Sequence, residues 1–547
     1  MFNQASLCDI IILIMVKLYI MKLFTKFTFL DKPYFLLSLI ILLGLFLRCF
    51  NLSQPYWGDE ILSLQIVKHY HANLAGMIQY LRMVEVHPPL YYFLLFAWTH
   101  LFGFTEAAVR SLSLIFGLAM LPLSYVLGKE LWHNTRAALL SALIVAVLPI
   151  QIIFSQEARP YIIFSFFGLL CFYWIWLYCH QGDVRRLIYF SLAALIGLYL
   201  HYSFVFILAP LFLWWIIMII KQKNFSEFRR VLAVISILFL AFYWWLSDLF
   251  YKIVLGEYEL FGLLRSSNDL RLSSIFESSL NQLIWTTKLL QILPIEIFAT
   301  ILAKCLIFFS ILKLASYKDD KKKMTAFFSL LFLAAISFSL FLFFPQSQNY
   351  ISIYEKHIIW LSVLLSLLIA GVASNLQIKQ SAVLISFVLI SFIPFNAKIL
   401  MSRYTFDKDR AHKNIAEQIN ESYRIGDIVI DNFSYDRSNL NYYLNSHISA
   451  YGFYPPQLLD WRLDSYVSRE TIGFLENEAQ SRIFPFSAAE REQKLKYIID
   501  QSGAKRIWLA YADYQDYGLK SWLDNNGWRH ALYSIDRFSP LDLYVKK

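Results

Sequence analysis

The sequence is broken into about eleven runs of some twenty residues that carry hardly a charge. They begin near Tyr34, Val109, Ala137, Ile162, Leu187, Phe204, Val231, Leu289, Ala326, Ile358 and Ala382. A helix needs about 20 apolar residues to cross the hydrocarbon core of a bilayer. One such run could be a buried core helix, but a succession of them could not. Inside hydrocarbon every backbone N–H and C=O must pair within its own segment, so the runs are read as helices. The expected fold is a polytopic all-α membrane protein of about eleven transmembrane helices. Composition agrees, with 58% hydrophobic and only 16% charged residues, where a soluble domain carries about 25% charged.

Lysine and arginine are distributed unevenly between the runs. The loops at 129–136 (KELWHNTR), 181–186, 221–230, 313–323 and 375–380 hold about 14 basic residues in about 41 positions, the alternate loops about 8 in about 115. Short loops rich in Lys and Arg stay cytoplasmic, so the alternate set is expected outside. The bias keeps its sign along the whole chain. It also decides the stretch 88–103 (PPLYYFLLFAWTHLFG), because counting it as a span would reverse every later loop. A juxtamembrane helix lying in the outer interface is expected there. Residues 51–107, 155–161, 251–288, 345–357 and everything after about 396 then lie outside. The net charge of +10 sits in short loops and builds no basic face, which argues against a nucleic-acid partner.

Two domains follow: a transmembrane module at 1–395, with its long outer loop at 51–107, and a soluble extracytoplasmic α/β domain at 396–547. At the N-terminus, 7–20 is apolar but too short to span and precedes the basic stretch Lys22, Lys26, Lys32. A start-site artefact, with Met21 as the initiator, is favoured over a surface-lying helix. In the tail, periodicity predicts a helix over 407–423, a strand over 428–433, a helix at KLKYIIDQ, a strand over 506–512, a helix around 518–525 and a strand over 541–545. No glycine-rich loop marks a strand–helix junction, so nucleotide binding is not expected. Cys8, Cys49, Cys171, Cys179 and Cys305 all lie in apolar segments, which leaves the tail without a disulfide or a thiolate metal site.

Chemistry is expected where ionisable residues gather at the outer ends of the spans. The first loop opens with PYWGDE, giving Asp59 and Glu60; EVHPPLYY follows with Glu85 and His87; Arg110 opens the second span; SQEARPY supplies Glu157 and Arg159 after the third. Any one of these could be an interfacial cap or anchor. Together, two acidic clusters and several cations converge on one end of one bundle.

The order apolar span, Asp-Glu, HPPL, an Arg opening the next span, a basic loop and then SQEARPY resembles the C-type membrane glycosyltransferases. Among these it is most similar to bacterial relatives of the protein O-mannosyltransferases and lipid A aminoarabinose transferases. The motifs cover roughly 51–161. Such enzymes pass a sugar from a polyprenyl-phosphate carrier to an outward-facing acceptor with inversion. A phosphate leaves as a stable anion and needs no general acid. The reaction needs a carboxylate to take the acceptor's proton and cations to hold the departing phosphate. The resemblance implies Asp59 as the base, with Glu60 and Glu157 as supporting acidic groups. It implies His87, Arg110, Arg159, Lys356 and His357 as the groups that bind substrate. The chain departs from the pattern at YEKHIIW, where relatives commonly have Arg-Tyr; Lys356 supplies the charge without the bidentate fork.

The implied partners are a polyprenyl-phosphate sugar donor, a lipid, glycan or protein acceptor, and membrane lipids; the implied location is the plasma (inner) membrane. No cofactor is expected. A divalent metal on His69, His71, His87 and His201 is not indicated, since HYH at i, i+2 is poor spacing for a helix-borne site. The main alternative is a transporter or flippase of lipid-linked sugars, which would place ionisable groups nearer mid-membrane. A scaffold would explain the tail but not PYWGDE or SQEARPY, and a hydrolase would use the same groups on water.

Overall fold

The computed structural model describes residues 33–254, 320–343, 359–386 and 407–547, except 51, 57, 84, 86, 378, 383–384, 433–439, 441, 446, 449, 455–481, 486–487, 512–518 and 534–540. Helix α1 (Pro33–Cys49) leads into a long loop that folds as three short helices, α2 (Gly58–His69), α3 (Leu74–Met83) and α4 (Leu90–Phe102). The bundle continues with α5 (Glu106–Trp132), the bent pair α6 (Thr135–Val147) and α7 (Pro149–Ser155), α8 (Tyr161–Gln181) and α9 (Arg185–Leu200). After a turn at Tyr202–Phe204 come α10 (Val205–Gln222), α11 (Phe228–Val254), α12 (Lys321–Phe343) and α13 (Ile359–Ser374). Four described helices are long and apolar enough to cross a membrane, and the bent pair makes a fifth. Nine of the expected runs fall on these helices. The run from Leu289 lies outside the described residues, and that from Ala382 is described only as far as 386.

One face of α11 shows why such a helix needs lipid. Val234, Leu238, Phe242 and Trp245 are buried, while Leu232, Ile237, Phe239, Leu240 and Phe250 are exposed. A helix that is apolar all round belongs in a protein core or a membrane.

The two sets of loops segregate to opposite ends of the bundle. At one end Tyr178 bonds Glu227, Gln222 Nε2 donates to the Cys179 carbonyl (3.1 Å) and Lys221 meets Thr325. These are the loops rich in lysine and arginine. At the other end Arg82 grips Asp248 at the end of α11 (2.7 and 3.2 Å), and Trp245 Nε1 donates to Tyr202 Oη (2.9 Å). Helix α4 begins and finishes at this second end. His87, just before it, lies beside His201 with the rings tilted, and Phe104, just after it, accepts a hydrogen bond from Tyr56 Oη (3.0 Å). It therefore does not cross the bundle, in keeping with its 13 residues.

The bend of 60° between α6 and α7 has a local cause. Pro149 lacks an N–H and pushes Leu148 out of the helical region, to φ −70°, ψ 119°. Carbonyls of the preceding turn lose their partners, and Arg48 takes them. This fully buried guanidinium donates to the carbonyls of Ala146 (2.8 Å) and Val145 (3.1 Å) and to Ser155 Oγ (3.1 Å). The helices can approach this closely because Gly117 faces Ser155; a Cβ there would lie 2.0 Å from Ser155 Oγ.

The tail holds a six-stranded sheet in the order β3-β2-β1-β4-β6-β5. Helix α14 (Asp407–Ser422) precedes β1 (Ile428–Asn432), β2 (Ala450–Tyr454) and β3 (Arg482–Pro485); α15 (Ala488–Ser502), β4 (Arg506–Tyr511), α16 (Leu519–Asn525), β5 (Trp528–Tyr533) and β6 (Leu541–Lys546) follow. Strands β1 to β4 pair in parallel and β6 is antiparallel to both its neighbours. Both faces are covered. Ile428, Ile430, Ile507 and Leu509 pack towards α15 and α16, while Val429, Trp508 and Ala510 pack towards α14. Burial on both faces explains the unbroken apolar runs IVI and IWLA. The expected helices and strands of the tail are all present. β2, β3 and β5 carry sequence signals too weak to be read beforehand.

Candidate active site

Asp59 and Glu60 stand in the first turn of α2, where carboxylates suit the positive end of the helix. Adjacent in sequence, they point to different surroundings. Glu60 is fully buried and takes both prongs of Arg110, at 2.9 Å from Nε and 2.6 Å from Nη2, and also the backbone N–H of Ala158 (2.7 Å). The remaining N–H groups of Arg110 go to the carbonyls of Leu52 (2.8 Å), Gln54 and Pro55 (3.0 Å). All five donors of this guanidinium are thus spent on protein. Asp59 is only half-buried.

The SQEARPY segment forms the turn between α7 and α8. Gln156 Nε2 caps the end of α1 through the carbonyls of Arg48 (3.1 Å) and Phe50 (2.7 Å). Glu157 and Arg159 are 6% and 7% exposed. Arg159 Nη1 holds the Asp59 carbonyl (3.1 Å) and Ser63 Oγ (2.6 Å), and the guanidinium lies over the Tyr161 ring. Burial opposes its charge, but Tyr161, Asp59 and Tyr92 keep it firmly protonated. Its Nε finds no hydrogen-bond partner among the described residues. Asp59, Glu60, Arg110, Glu157 and Arg159 are therefore one assembly, drawn from α2, α5 and the α7–α8 turn.

His87 borders it. One carboxylate oxygen of Glu85 accepts both His87 Nδ1 (2.7 Å) and the His87 backbone N–H (3.1 Å). Burial pushes the Glu85 carboxyl up, but His87 outweighs it and holds the group at about 2. The His87 ring is 5.4 Å from that of His201, which rests against Tyr161 and Phe164. His71 lies elsewhere, stacked on His100 at 3.7 Å. Among the described residues no group of three or more His, Cys, Asp or Glu could hold a metal. Lys356 and His357 lie outside the described residues.

Four residues of the site carried no distinctive signal in the sequence. Arg48 could be read as the ordinary basic end of a span. Gln156 and Ser63 are visible only through contacts made across the fold. Tyr91, in the first turn of α4, is 2% exposed, and its hydroxyl has no partner among the described residues.

The tail reaches this end of the bundle. Tyr443 Oη accepts the backbone N–H of Tyr56 (2.7 Å), Tyr442 stands edge-on to the Tyr56 ring, and Lys413 Nζ bonds Glu106 (2.8 Å).

Residues 86–245 match the family model described as dolichyl-phosphate-mannose-protein mannosyltransferase. Among curated protein sequences nothing matches. Among solved structures the chain is similar to ArnT from Cupriavidus metallidurans, both in the apo state and bound to undecaprenyl phosphate. Each comparison gives a TM-score of 0.60 at 12% identity over 93% of this chain and 97% of that one. The archaeal oligosaccharyltransferase AglB from Archaeoglobus fulgidus, in complex with an inhibitory peptide and a dolichol-phosphate, gives a TM-score of 0.47 at 12% identity over 96% of this chain and 75% of that one. The resemblance to the C-type membrane glycosyltransferases thus holds by sequence over 86–245 and by fold over nearly the whole chain. The chain is a multi-pass membrane protein.

Proposed function

We propose that this chain transfers a sugar from a polyprenyl-phosphate donor to an acceptor on the extracytoplasmic side of the inner membrane, with inversion and with Asp59 as the base. The observation that carries the reading is the split between neighbours at the head of α2. Glu60 is buried and neutralised by Arg110, while Asp59 stays half-buried beside an arginine with a donor to spare. An inverting transfer needs that pair: a carboxylate to draw the proton from the acceptor hydroxyl, and a cation whose hold strengthens as charge builds on the leaving phosphate. The fold shared with a structure that holds undecaprenyl phosphate supports a polyprenyl-phosphate donor.

In this reading Arg159 and His87 receive the phosphate, together with Lys356 and His357. Glu157 orients the acceptor or steadies positive charge on the sugar. Arg110 and Glu60 leave the substrate-binding and acid roles that the motifs suggest and act as the brace beneath Asp59. The proposed architecture retains about eleven spans, a membrane module at 1–395 and an extracytoplasmic domain at 396–547.

The bent helix and the buried Arg48 are features that transporters share. Here that cation is occupied by the carbonyls the bend releases, and no ion or substrate is needed to explain it. The test is Asp59→Asn in nanodiscs, with polyprenyl-phospho-sugar donors and mass detection of both glycosylated acceptor and released polyprenyl phosphate. Turnover should fall roughly a hundredfold or more, the usual contribution of a general base. Near-normal transfer by the variant would remove the mechanism's central residue, and lipid movement without released phosphate would favour the flippase.

A further inference from the structure

The Tyr91 hydroxyl is a problem for the protein by itself. The side chain is 2% exposed in the first turn of α4, and its oxygen has no hydrogen-bond partner among the described residues. Arg159 Nε, 7% exposed on the α7–α8 turn, is in the same condition. A buried polar group left unpaired is costly, and native structures pair the great majority of them. Two such atoms at one site call for a shared explanation. Tyr91 lies within electrostatic reach of Arg159, Glu60, Tyr161 and Glu157, so both atoms belong to the assembly around Asp59.

The chemistry of the two atoms narrows what they could meet. An arginine Nε–H only donates, and a phenol donates readily to an anionic oxygen. Glu157, within electrostatic reach of Tyr91, makes no hydrogen bond to its hydroxyl, and Glu60 cannot serve as the missing acceptor. Its carboxylate is already held by Arg110 and by the Ala158 backbone N–H. Tyr161 is itself a hydroxyl beneath the Arg159 guanidinium. What fits two donors on a charged, water-poor wall is an oxygen-rich anion such as a phosphate.

We propose that Tyr91 Oη and Arg159 Nε form a two-donor subsite for the phosphate of the polyprenyl carrier, with Tyr91 a substrate-binding residue. This deepens the transferase reading and rests on it. No bond changes at Tyr91; its O–H donates to a phosphate oxygen before, during and after the sugar departs. The rest of the site supplies direction. Arg159 Nη1 is fixed on the Asp59 carbonyl and Ser63, so its Nε edge is presented in a set orientation, and Tyr91 is anchored by the helix that HPPL starts.

Tyr91→Phe removes one oxygen atom and keeps the ring, which makes it a clean probe. The full chain in nanodiscs would be titrated with undecaprenyl phosphate, with binding read by native mass spectrometry and thermal unfolding measured without and with the lipid. The expected result has two parts. The lipid-free variant unfolds at the same temperature as wild type or higher, because an unpaired hydroxyl has gone. Its affinity for undecaprenyl phosphate falls about tenfold, the scale of one charge-assisted hydrogen bond. In an Arg159→Lys background, which keeps charge but loses the planar fork, Tyr91→Phe should cost less than in wild type. A lipid-free variant that unfolds earlier would show that the hydroxyl has a structural partner, and the proposal would fall. Unchanged affinity would overturn it too, as would failure of wild type to bind the lipid. Wild type that binds undecaprenyl phosphate but transfers no sugar from any donor would remove the transferase reading and leave the subsite standing.

Discussion

At the scale of single residues, the site is a lesson in how little adjacency says about role. Asp59 and Glu60 read from sequence as one acidic pair, and the same holds for Arg110 and Arg159 as two cations. The fold separates them. Glu60 and Arg110 are a fully buried fork–fork pair (2.6 Å), whereas Asp59 is only half-buried and Arg159 Nε has no hydrogen-bond partner among the described residues. Breaking a buried ion pair from one side leaves an uncompensated charge and costs roughly 3–5 kcal/mol. Arg110→Met should therefore lower the unfolding temperature and the yield of folded protein. Arg159→Gln should instead leave most of the fold intact and depress turnover more than donor binding, the mark of an interaction strengthened in the transition state. Steady-state kinetics beside a thermal melt separates the two; equal loss of stability in both variants would erase the distinction. Glu85 makes a third case. Its folded value of about 2 lies below the ordinary 4.5. Its contribution to stability is therefore complete above the unfolded value and lost only as pH falls through about 2. A change in turnover between pH 5 and 8 is then not its titration. If Glu85 acts only by holding His87, Glu85→Gln should add nothing in a His87→Ala background; additive losses would give it an independent role.

At the scale of elements, hydropathy and loop charge were sufficient for most of the bundle, because length and apolarity are what a bilayer demands of each segment independently. The helix at 90–102 was placed by the same charge bias and returns to the end of the bundle where it started. What could not be read is the bend at Leu148. Pro149 was visible, but a proline in an apolar run can kink, terminate or do little, and the outcome depends on whether another chain segment can take the released carbonyls. Arg48, about a hundred residues away, is that segment. The bend in turn aims Ser155 and Gln156, and so the turn carrying Glu157 and Arg159. Arg48→Met should strand the Val145 and Ala146 carbonyls at roughly 1–3 kcal/mol each, read as a lower unfolding temperature in detergent. Pro149→Ala restores one N–H and lets the helix run on, so it should recover part of the loss in the Arg48→Met background. If Pro149→Ala is no better tolerated there than in wild type, the two residues are not coupled and the account of the bend is wrong.

At the scale of the whole molecule, the charge bias and the contacts of the tail concern the same question, which end of the bundle works. Lysine-rich loops gather at one end, while Asp59, Arg159 and His87 gather at the other. The tail's Tyr442, Tyr443 and Lys413 dock at that second end. Reporter fusions within 51–107 and after 396 should be active only outside the cytoplasm, and fusions in 313–323 only inside; the reverse would place the site on the wrong side for a lipid-linked donor. The docking surface makes a sharper demand. Tyr443 accepts the N–H of Tyr56, two residues before the helix that presents Asp59, and Lys413 meets Glu106, one turn before Arg110. A tail that merely trails from the membrane module would have no reason to touch these positions. If it braces the PYWGDE loop, loosening it should displace Asp59 while leaving donor binding nearly intact, because the residues proposed to hold the phosphate sit on other elements. Lys413→Glu should then lower kcat more than it raises the donor KM. The ion pair is partly exposed and worth about 1 kcal/mol or less by itself, so the effect on stability should be small and the effect on turnover larger. Glu106→Lys should behave alike, and the exchanged pair should recover much of the lost turnover. Two singles that leave kcat untouched, or a double that is worse than either, would make the tail an independent module that happens to rest there.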